Sequence, residues 1–381
     1  MNAIIDTIPE IKPADNKSIQ DLLSSLHTSK RRDFIAPMKR IRILNNGEDM
    51  QSRLQDEFAI TLGNDDMTFG MSDFCAKQLN QRLKPGFGRY AEELQRAELD
   101  YLYLENVNEL LMHDDRRAQV RVLENGKTYA RAVVSDKYCS IDDPIVFGTA
   151  LNVLGDNAHR FKSIGGNRTD IKTYCKFVSR EPVFALEIGG KTREFSAGFM
   201  ISNSEVGQGT ACFQAFFTDS YCNNGLIFSK SILADVNFKH IGSRIDTDFG
   251  EIFGSQISRI KQGEIAQLID NATKIACSQE TAMLEPIIDQ IMTSIERKLQ
   301  GDEIAGIRNV LTAAKVPTVD HDKVIREIDP ADNSQFGIQA GLTQYAQKVE
   351  NYEKRIELEK KGADVISMND RTWKACQALS V

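Results

Sequence analysis

The sequence has no apolar run of about eighteen residues, the shortest length that commonly spans a bilayer, so no membrane helix is predicted. It contains five histidines and seven cysteines, and none of the cysteines forms a Cys-x-x-Cys pair. The common zinc and redox spacings are therefore missing, and the cysteines are expected to be reduced thiols of a cytoplasmic protein. The first thirty residues carry Asp6, Glu10, Asp15 and Asp21 instead of the basic start and apolar block of a secretory leader.

Positive charge is not in excess either. The chain has 381 residues and a formal net charge of −7, which argues against a protein that coats duplex DNA with its whole surface. A local basic groove stays compatible with this balance. With 41% hydrophobic and 27% charged residues, the composition is typical of a soluble globular protein of about two domains.

The central run from Arg193 to Lys230 alternates apolar with small or polar residues on both sides of a loop, Asn203–Gly209. This period of two predicts two half-buried strands that pair as an antiparallel hairpin. Four phenylalanines alternate along the arms, and we interpret them as core; a base-stacking platform is the alternative. They are Phe195, Phe199, Phe213 and Phe217.

Local signals predict the other elements. Ser72 is placed to cap a helix that ends near Leu83, Asn125-Gly126 predicts a hairpin turn, and Asp142-Asp143-Pro144 predicts a helix start. The result is an α+β fold in which helices cover a central antiparallel β-meander. We expect three regions: a flexible basic arm (1–45), an α+β core (46–250) and a helical region packed on it (251–381).

Several stretches resemble a phage- and plasmid-borne family known as domain of unknown function 932. They are Asp73–Leu94, Ala130–Val146, Ile201–Ile227, His240-Ile241-Gly242 and Ser334–Gln347. The likeness covers roughly residues 50–381 and implies an origin on a mobile element. It implies no chemistry, because the family has none assigned. Gln339-Ala340 stands where the family tends to have Asn-Ala.

Motifs for catalysis or cofactors fail on inspection. Gly190-Lys191-Thr192 resembles the end of a phosphate-binding loop, but Ala185 stands at the position of its first glycine. Cys212, Cys222 and His240 match no zinc spacing, and no signal marks Cys222 or Ser204 as a nucleophile activated by His240. We therefore expect no catalytic residue, no metal and no cofactor.

A basic cluster near the N-terminus carries the functional prediction. Six cations in thirteen residues are suited to neutralise phosphates and release counterions, and Phe34 and Met38 lie between them. The alternative is a solvated segment that pairs with an acidic partner. The six cations are Lys30, Arg31, Arg32, Lys39, Arg40 and Arg42. Following helices extend the cluster with Lys77, Arg82, Lys84, Arg89 and Arg96.

Two functions remain at this point. The first is a DNA-binding protein, such as a single-stranded DNA annealing or recombination accessory protein that forms homo-oligomers and requires neither nucleophile nor metal. The second is a protein-interaction module that acts on host defence or assembly. It would use a predicted long helix, Phe336–Lys361, whose stripe of apolar residues can seat a partner helix or the protein's own sheet. The stripe consists of Tyr345, Val349, Tyr352 and Ile356.

Overall fold

A computed structural model describes most of the chain between residues 30 and 377. The described ranges are 30–45, 58–63, 67–124, 128–138, 140–188, 190–209, 211–219, 225–228, 236–238 and 281–377, with residues 24, 26, 263, 266, 267, 269–271, 273, 274 and 277. The strands are β1 (Lys30–Pro37), β2 (Ile41–Asn45), β3 (Phe58–Leu62), β4 (Thr68–Met71), β5 (Arg117–Glu124), β6 (Thr128–Ser135), β7 (Phe161–Arg168), β8 (Thr173–Ser179), β9 (Phe184–Ile188), β10 (Lys191–Asn203), β11 (Ala211–Asp219), β12 (Gly225–Phe228) and β13 (Val236–Phe238). The helices are α1 (Asp73–Leu83), α2 (Phe87–Arg96), α3 (Asp100–Met112), α4 (Asp143–Asp156), α5 (Thr281–Glu296), α6 (Glu303–Ala313), α7 (Thr318–Ile325), α8 (Gln335–Gln347), α9 (Tyr352–Ile366) and α10 (Asp370–Cys376).

The predicted α+β class is confirmed, and the strands divide between two sheets where the sequence suggested one. The N-terminal sheet has the order β1-β5-β6-β4-β3-β2, and the central sheet has the order β12-β11-β10-β8-β7, with β9 on β10 and β13 on β11. The pairings are antiparallel except for β4 with β6. No described helix combines the length and apolar character needed to cross a membrane.

The N-terminal sheet packs α1, α2 and α3 on one face. Val120 and Val122 of β5 belong to the same core as Leu79 of α1 and Val107 of α3. Ser72 caps α1 as predicted, since its side chain accepts a hydrogen bond from the Cys75 amide. Sequence patterns did not predict α3 or β1 to β4.

The described part of the predicted flexible arm, residues 30–45, is part of this sheet and not an arm. All eight residues of β1 pair with β5, and all five residues of β2 pair with β3. Helix α3 closes the free edge of β2, because the Asn108 carboxamide bonds both the amide (2.8 Å) and the carbonyl (2.9 Å) of Ile43. One side chain thereby satisfies both backbone hydrogen-bonding groups that Ile43 presents at the edge of the sheet.

The central sheet confirms the predicted hairpin. β10 pairs with β11 so that Ile201 lies opposite Phe213 and Ala197 opposite Phe217. The predicted core phenylalanines are all at most 3% exposed, so they are not a stacking platform. One face of the sheet packs on α4 and α5, and the other packs on α9 through Tyr352 and Ile356.

The long helix predicted for Phe336–Lys361 is wrong. It is two helices, α8 and α9, and α9 begins where the Asn351 side chain accepts a hydrogen bond from the Lys354 amide. Tyr345, Tyr352 and Ile356 are at most 8% exposed and belong to the core. These apolar residues do not form one stripe, because they lie on two helices and are buried against the protein's own sheet and helices.

Candidate nucleic-acid interface

The six cations of the predicted basic cluster do not lie on one surface. Arg31 turns inward: its side chain is 12% exposed, and its Nε donates to Glu205 at 2.5 Å. This position was wrong for a phosphate contact, because alternate residues of a strand point to opposite faces and Arg31 points to the face that Glu205 contacts. Lys30 and Arg32 are exposed, and Arg32 lies 3.3 Å from Glu124 at the surface.

The other predicted cations lie at the opposite end of β1. Lys39 pairs with Asp115 at 2.8 Å, and Arg42 is half-buried with Nη1 donating to the carbonyls of Lys39 and Ile41. Arg40 is exposed. Since β1 places its ends roughly 20–25 Å apart, Lys30 and Arg32 form a separate group from these three.

Three segments converge at that second end. The amides of Met38 and Lys39 donate to the carbonyls of Arg116 (2.8 Å) and Asp114 (3.2 Å). The Arg116 guanidinium in turn donates to the carbonyls of Arg82 (2.7 Å) and Leu83 (3.2 Å) at the end of α1. The turn after β1, the start of β5 and the corner between α1 and α2 therefore share one surface. We call its cations the basic end: Lys39, Arg40, Arg82, Lys84, Arg116 and Arg117.

Like charges crowd at the basic end. Burial, and next the charge of Arg116, lower the pKa of Arg82 below its ordinary value. Asp114 offsets part of this charge: it is held by hydrogen bonds from Arg116, and these lower its pKa. Arg40, Lys84 and Arg117 are exposed and make no ion pair with any residue that the structure describes. An incoming anion would therefore find unneutralised cations here.

Lys77 and Arg89, the remaining predicted contacts, are exposed on α1 and α2. Arg89 follows the corner between these helices, whereas Lys77 lies in the first half of α1, away from the helix end that Arg116 contacts. Arg116 and Arg117 were missed by the sequence interpretation. Their signal was present, because they form an Arg-Arg pair at the start of β5. Asp114-Asp115 precedes them, and the sequence alone therefore shows two acids next to two bases with no net charge. In the fold, Asp115 forms an ion pair with Lys39, and Arg117 forms no ion pair with any described residue.

A second charged site is buried between the two sheets. Glu205, at the tip of the β10–β11 hairpin, is 2% exposed and enters the face of the N-terminal sheet opposite the helices. Its carboxylate accepts from Arg31, from Arg131, from Arg168 (3.2 Å) and from the Asp143 amide (2.8 Å). Its carbonyl accepts from Arg121. One carboxylate thus ties both sheets to the start of α4.

Carboxylates complete this network. Arg121 pairs with Asp33 of β1 at 3.0 Å and with Asp142 at 2.7 Å. Asp143 accepts from Thr173 at 2.6 Å and from Asn203 at 2.8 Å. Burial alone would raise the pKa of Glu205, but the arginines around it outweigh burial and hold that pKa below its usual range. The charged side chains of this network pair with opposite charges inside the protein, so we assign the network a structural role.

Asp143 gives this network a pH response. Burial, and next the charge of Glu205, raise its pKa from 3.8 to about 6. Its ionised form therefore costs stability above pH 6, and the cost disappears as the pH falls toward 4. We expect the wild type to gain on the order of 1–3 kcal/mol relative to Asp143→Asn between pH 7 and pH 4. Chemical denaturation across this range measures the difference.

The matched control is Asp156→Asn, which removes an exposed carboxylate at the other end of α4. Its stability difference from the wild type is expected to change little over the same pH range. A difference between wild type and Asp143→Asn that is equally flat would contradict a raised pKa at Asp143.

The other sequence candidates find ordinary partners or lie outside the described residues. The Ser204 hydroxyl is buried and donates to the Ile171 carbonyl at 2.9 Å, which leaves it no role as a nucleophile. Cys212 lies in β11, whereas Cys222 and His240 lie outside the described residues. Comparison of the chain with protein-family models, with curated proteins and with solved structures found no match.

Proposed function

We propose that this protein binds nucleic acid through the basic end and acts as a single-stranded DNA annealing or recombination accessory protein of a mobile element. The observation that carries the proposal is the convergence of six cations from three segments on one surface. Phosphates are the abundant ligand for such a surface, since displaced counterions make the contact favourable. The resemblance to the phage- and plasmid-borne family belongs to the same proposal.

The acidic remainder of the protein fits a localised contact. With a net charge of −7, most of the surface repels a nucleic acid, so the strand is restricted to the basic end. A homo-oligomer in the cytoplasm would align several basic ends along one strand, as annealing requires. The alternative interaction module loses the apolar stripe proposed for it, because Tyr345, Tyr352 and Ile356 are buried within the chain.

A charge-neutral triple variant tests the proposal. Arg40→Gln, Lys84→Gln and Arg117→Gln together remove the three exposed cations of the basic end that have no ion pair among the described residues. We expect affinity for a single-stranded oligonucleotide to fall on the order of 10- to 100-fold at low salt. The slope of log K against log salt should fall by about 2, at 0.7 per lost phosphate contact on a single strand. Fluorescence anisotropy titrations at several salt concentrations measure both quantities.

The control variant neutralises Lys162, Arg326 and Arg371, which are equally exposed and lie far from the basic end in the chain. It keeps the same change in net charge, so equal losses in both triple variants would refute a localised site. Lys30→Gln with Arg32→Gln tests the other end of β1, where we expect a smaller loss because Arg32 already faces Glu124. Light scattering with and without the oligonucleotide tests the oligomer.

A further inference from the structure

Tyr90 is an exposed aromatic side chain next to the basic end. It lies in the first turn of α2 and is 48% exposed. Its amide donates to the Gly86 carbonyl at 3.3 Å, and Gly86 adopts φ +84°, so the corner between α1 and α2 has a defined shape. Lys84 precedes this corner and Arg89 follows it, both exposed.

The ring of Tyr90 is supported from below. Phe87 is 8% exposed, belongs to the core of the N-terminal sheet, and lies with its ring centroid 6.2 Å from that of Tyr90. A tyrosine has few side-chain torsions, and a helix fixes its backbone, so little entropy is lost when a flat group stacks on its free face. Such a ring differs from a flexible loop aromatic in that it is already in place.

The charges around Tyr90 are unevenly distributed. Lys84 and Arg89 lie on the side of the basic end, while Glu92 and Glu93 follow on the next turn of α2, where Glu93 pairs with Arg96 at 2.9 Å. A phosphate backbone is therefore attracted to the corner and repelled from the rest of the helix. A nucleotide bound at the corner would have its phosphate at Lys84 or Arg89 and its base within reach of Tyr90.

We propose that Tyr90 is a base-stacking residue that makes the basic end selective for single-stranded nucleic acid. Bases of a duplex are stacked on one another and cannot present a face to the ring, whereas an unpaired base can. The inference rests on the proposed function, since the cations must first bring the strand to the corner. Stacking on Tyr90 would distinguish single-stranded from duplex nucleic acid, which the charges of the basic end alone do not do.

Removing the ring tests this role. Tyr90→Ser is expected to reduce affinity for a single-stranded oligonucleotide roughly 5- to 100-fold, the range for one lost stacking contact. The salt slope should stay as in the wild type, because no phosphate contact is removed. Affinity for a duplex of the same sequence should change less than about twofold, and Tyr90→Phe should retain wild-type binding, since stacking needs the ring and not the hydroxyl.

A fluorescent reporter observes the stacking directly. The chain has one tryptophan, Trp373, which is 6% exposed in α10. Tyr90→Trp therefore adds one exposed indole to a chain whose own indole is buried. Single-stranded oligonucleotide should quench the added emission and leave that of the wild type unchanged. Tyr101→Ser is the matched control, because Tyr101 is 63% exposed on α3 and should leave affinity unchanged.

The outcomes separate this inference from the function beneath it. If Tyr90→Ser binds both strand types like the wild type while the basic-end triple variant is weakened, Tyr90 does not stack and the basic end remains a phosphate site. If Tyr90→Ser and Tyr101→Ser lose affinity equally, the ring has no specific role. If the triple variant binds as tightly as the wild type, the proposed function itself fails.

Discussion

Replacing Glu205 with glutamine is expected to lower the free energy of unfolding by about 3–5 kcal/mol, the usual cost of removing one partner from a buried ion pair. The reason lies in its surroundings. Arg131 is 6% exposed and Arg31 has a 12% exposed side chain, so neither finds water when the carboxylate is removed. Glutamine keeps the volume and offers one carbonyl oxygen, but it leaves the positive charges of the arginines without their nearest counter-charge.

Urea denaturation followed by circular dichroism measures this effect, with the unfolding slope used to check that the same surface is exposed in both proteins. The matched control is Glu92→Gln on α2, where the carboxylate is exposed and the change should stay within about 0.5 kcal/mol. A Glu205→Gln protein as stable as Glu92→Gln would show that the network contributes little and that the hairpin tip is held by apolar contacts.

Gly198→Ala is expected to lower the free energy of unfolding of the protein by about 4 kcal/mol or more, or to prevent folding altogether. A Cβ on Gly198 would lie 1.8 Å from the Phe177 carbonyl oxygen and 2.7 Å from the Val178 Cα. These are backbone atoms of β8, the strand paired with β10, and they cannot move aside as a side chain can. The two strands would have to separate at the middle of the sheet.

Gly88→Ala makes the same chemical change in α2 and should have the opposite sign. The added Cβ would be close only to the Gln81 Cγ, at 3.2 Å, with the Gln81 backbone N and Cα at the ordinary contact distances of 3.6 and 3.7 Å. Alanine is the better helix former by up to about 1 kcal/mol. Thermal melts of the two variants provide the comparison, along with the soluble yield of each. Equal stability of Gly198→Ala and the wild type would mean that β8 and β10 approach less closely than the structure shows.

Local patterns were enough where the partner of a residue lies nearby in the chain. The alternation around Phe199 and Phe213 predicted the hairpin, because both strands and their turn lie within one short segment. Ser72 predicted the start of α1, since a cap bonds only to the next turn. The Asn125-Gly126 hairpin is borne out by the pairing of Glu124 with Thr128 on either side of it.

Local sequence patterns did not predict the structure where the partner of a residue is distant in the chain. β1 reads as a charged segment, and only its pairing with β5, more than eighty residues away, decides that Arg31 faces Glu205 while Arg32 faces solvent. Arg116 and Arg117 reach the basic end for the same reason. The apolar spacing of Tyr345 and Ile356 predicted one stripe on one helix, but the two residues lie on different helices and in different parts of the core.

The amino-acid sequence by itself determined the α+β class, the central hairpin, the helix start at Ser72 and the presence of many cations near the N-terminus, because these depend on residues a few positions apart. Only the tertiary structure decided which of those cations are exposed, that two sheets exist, and that Glu205 joins them. Burial and charge pairing are set by groups that the fold brings together across more than a hundred positions, and no local spacing encodes that choice.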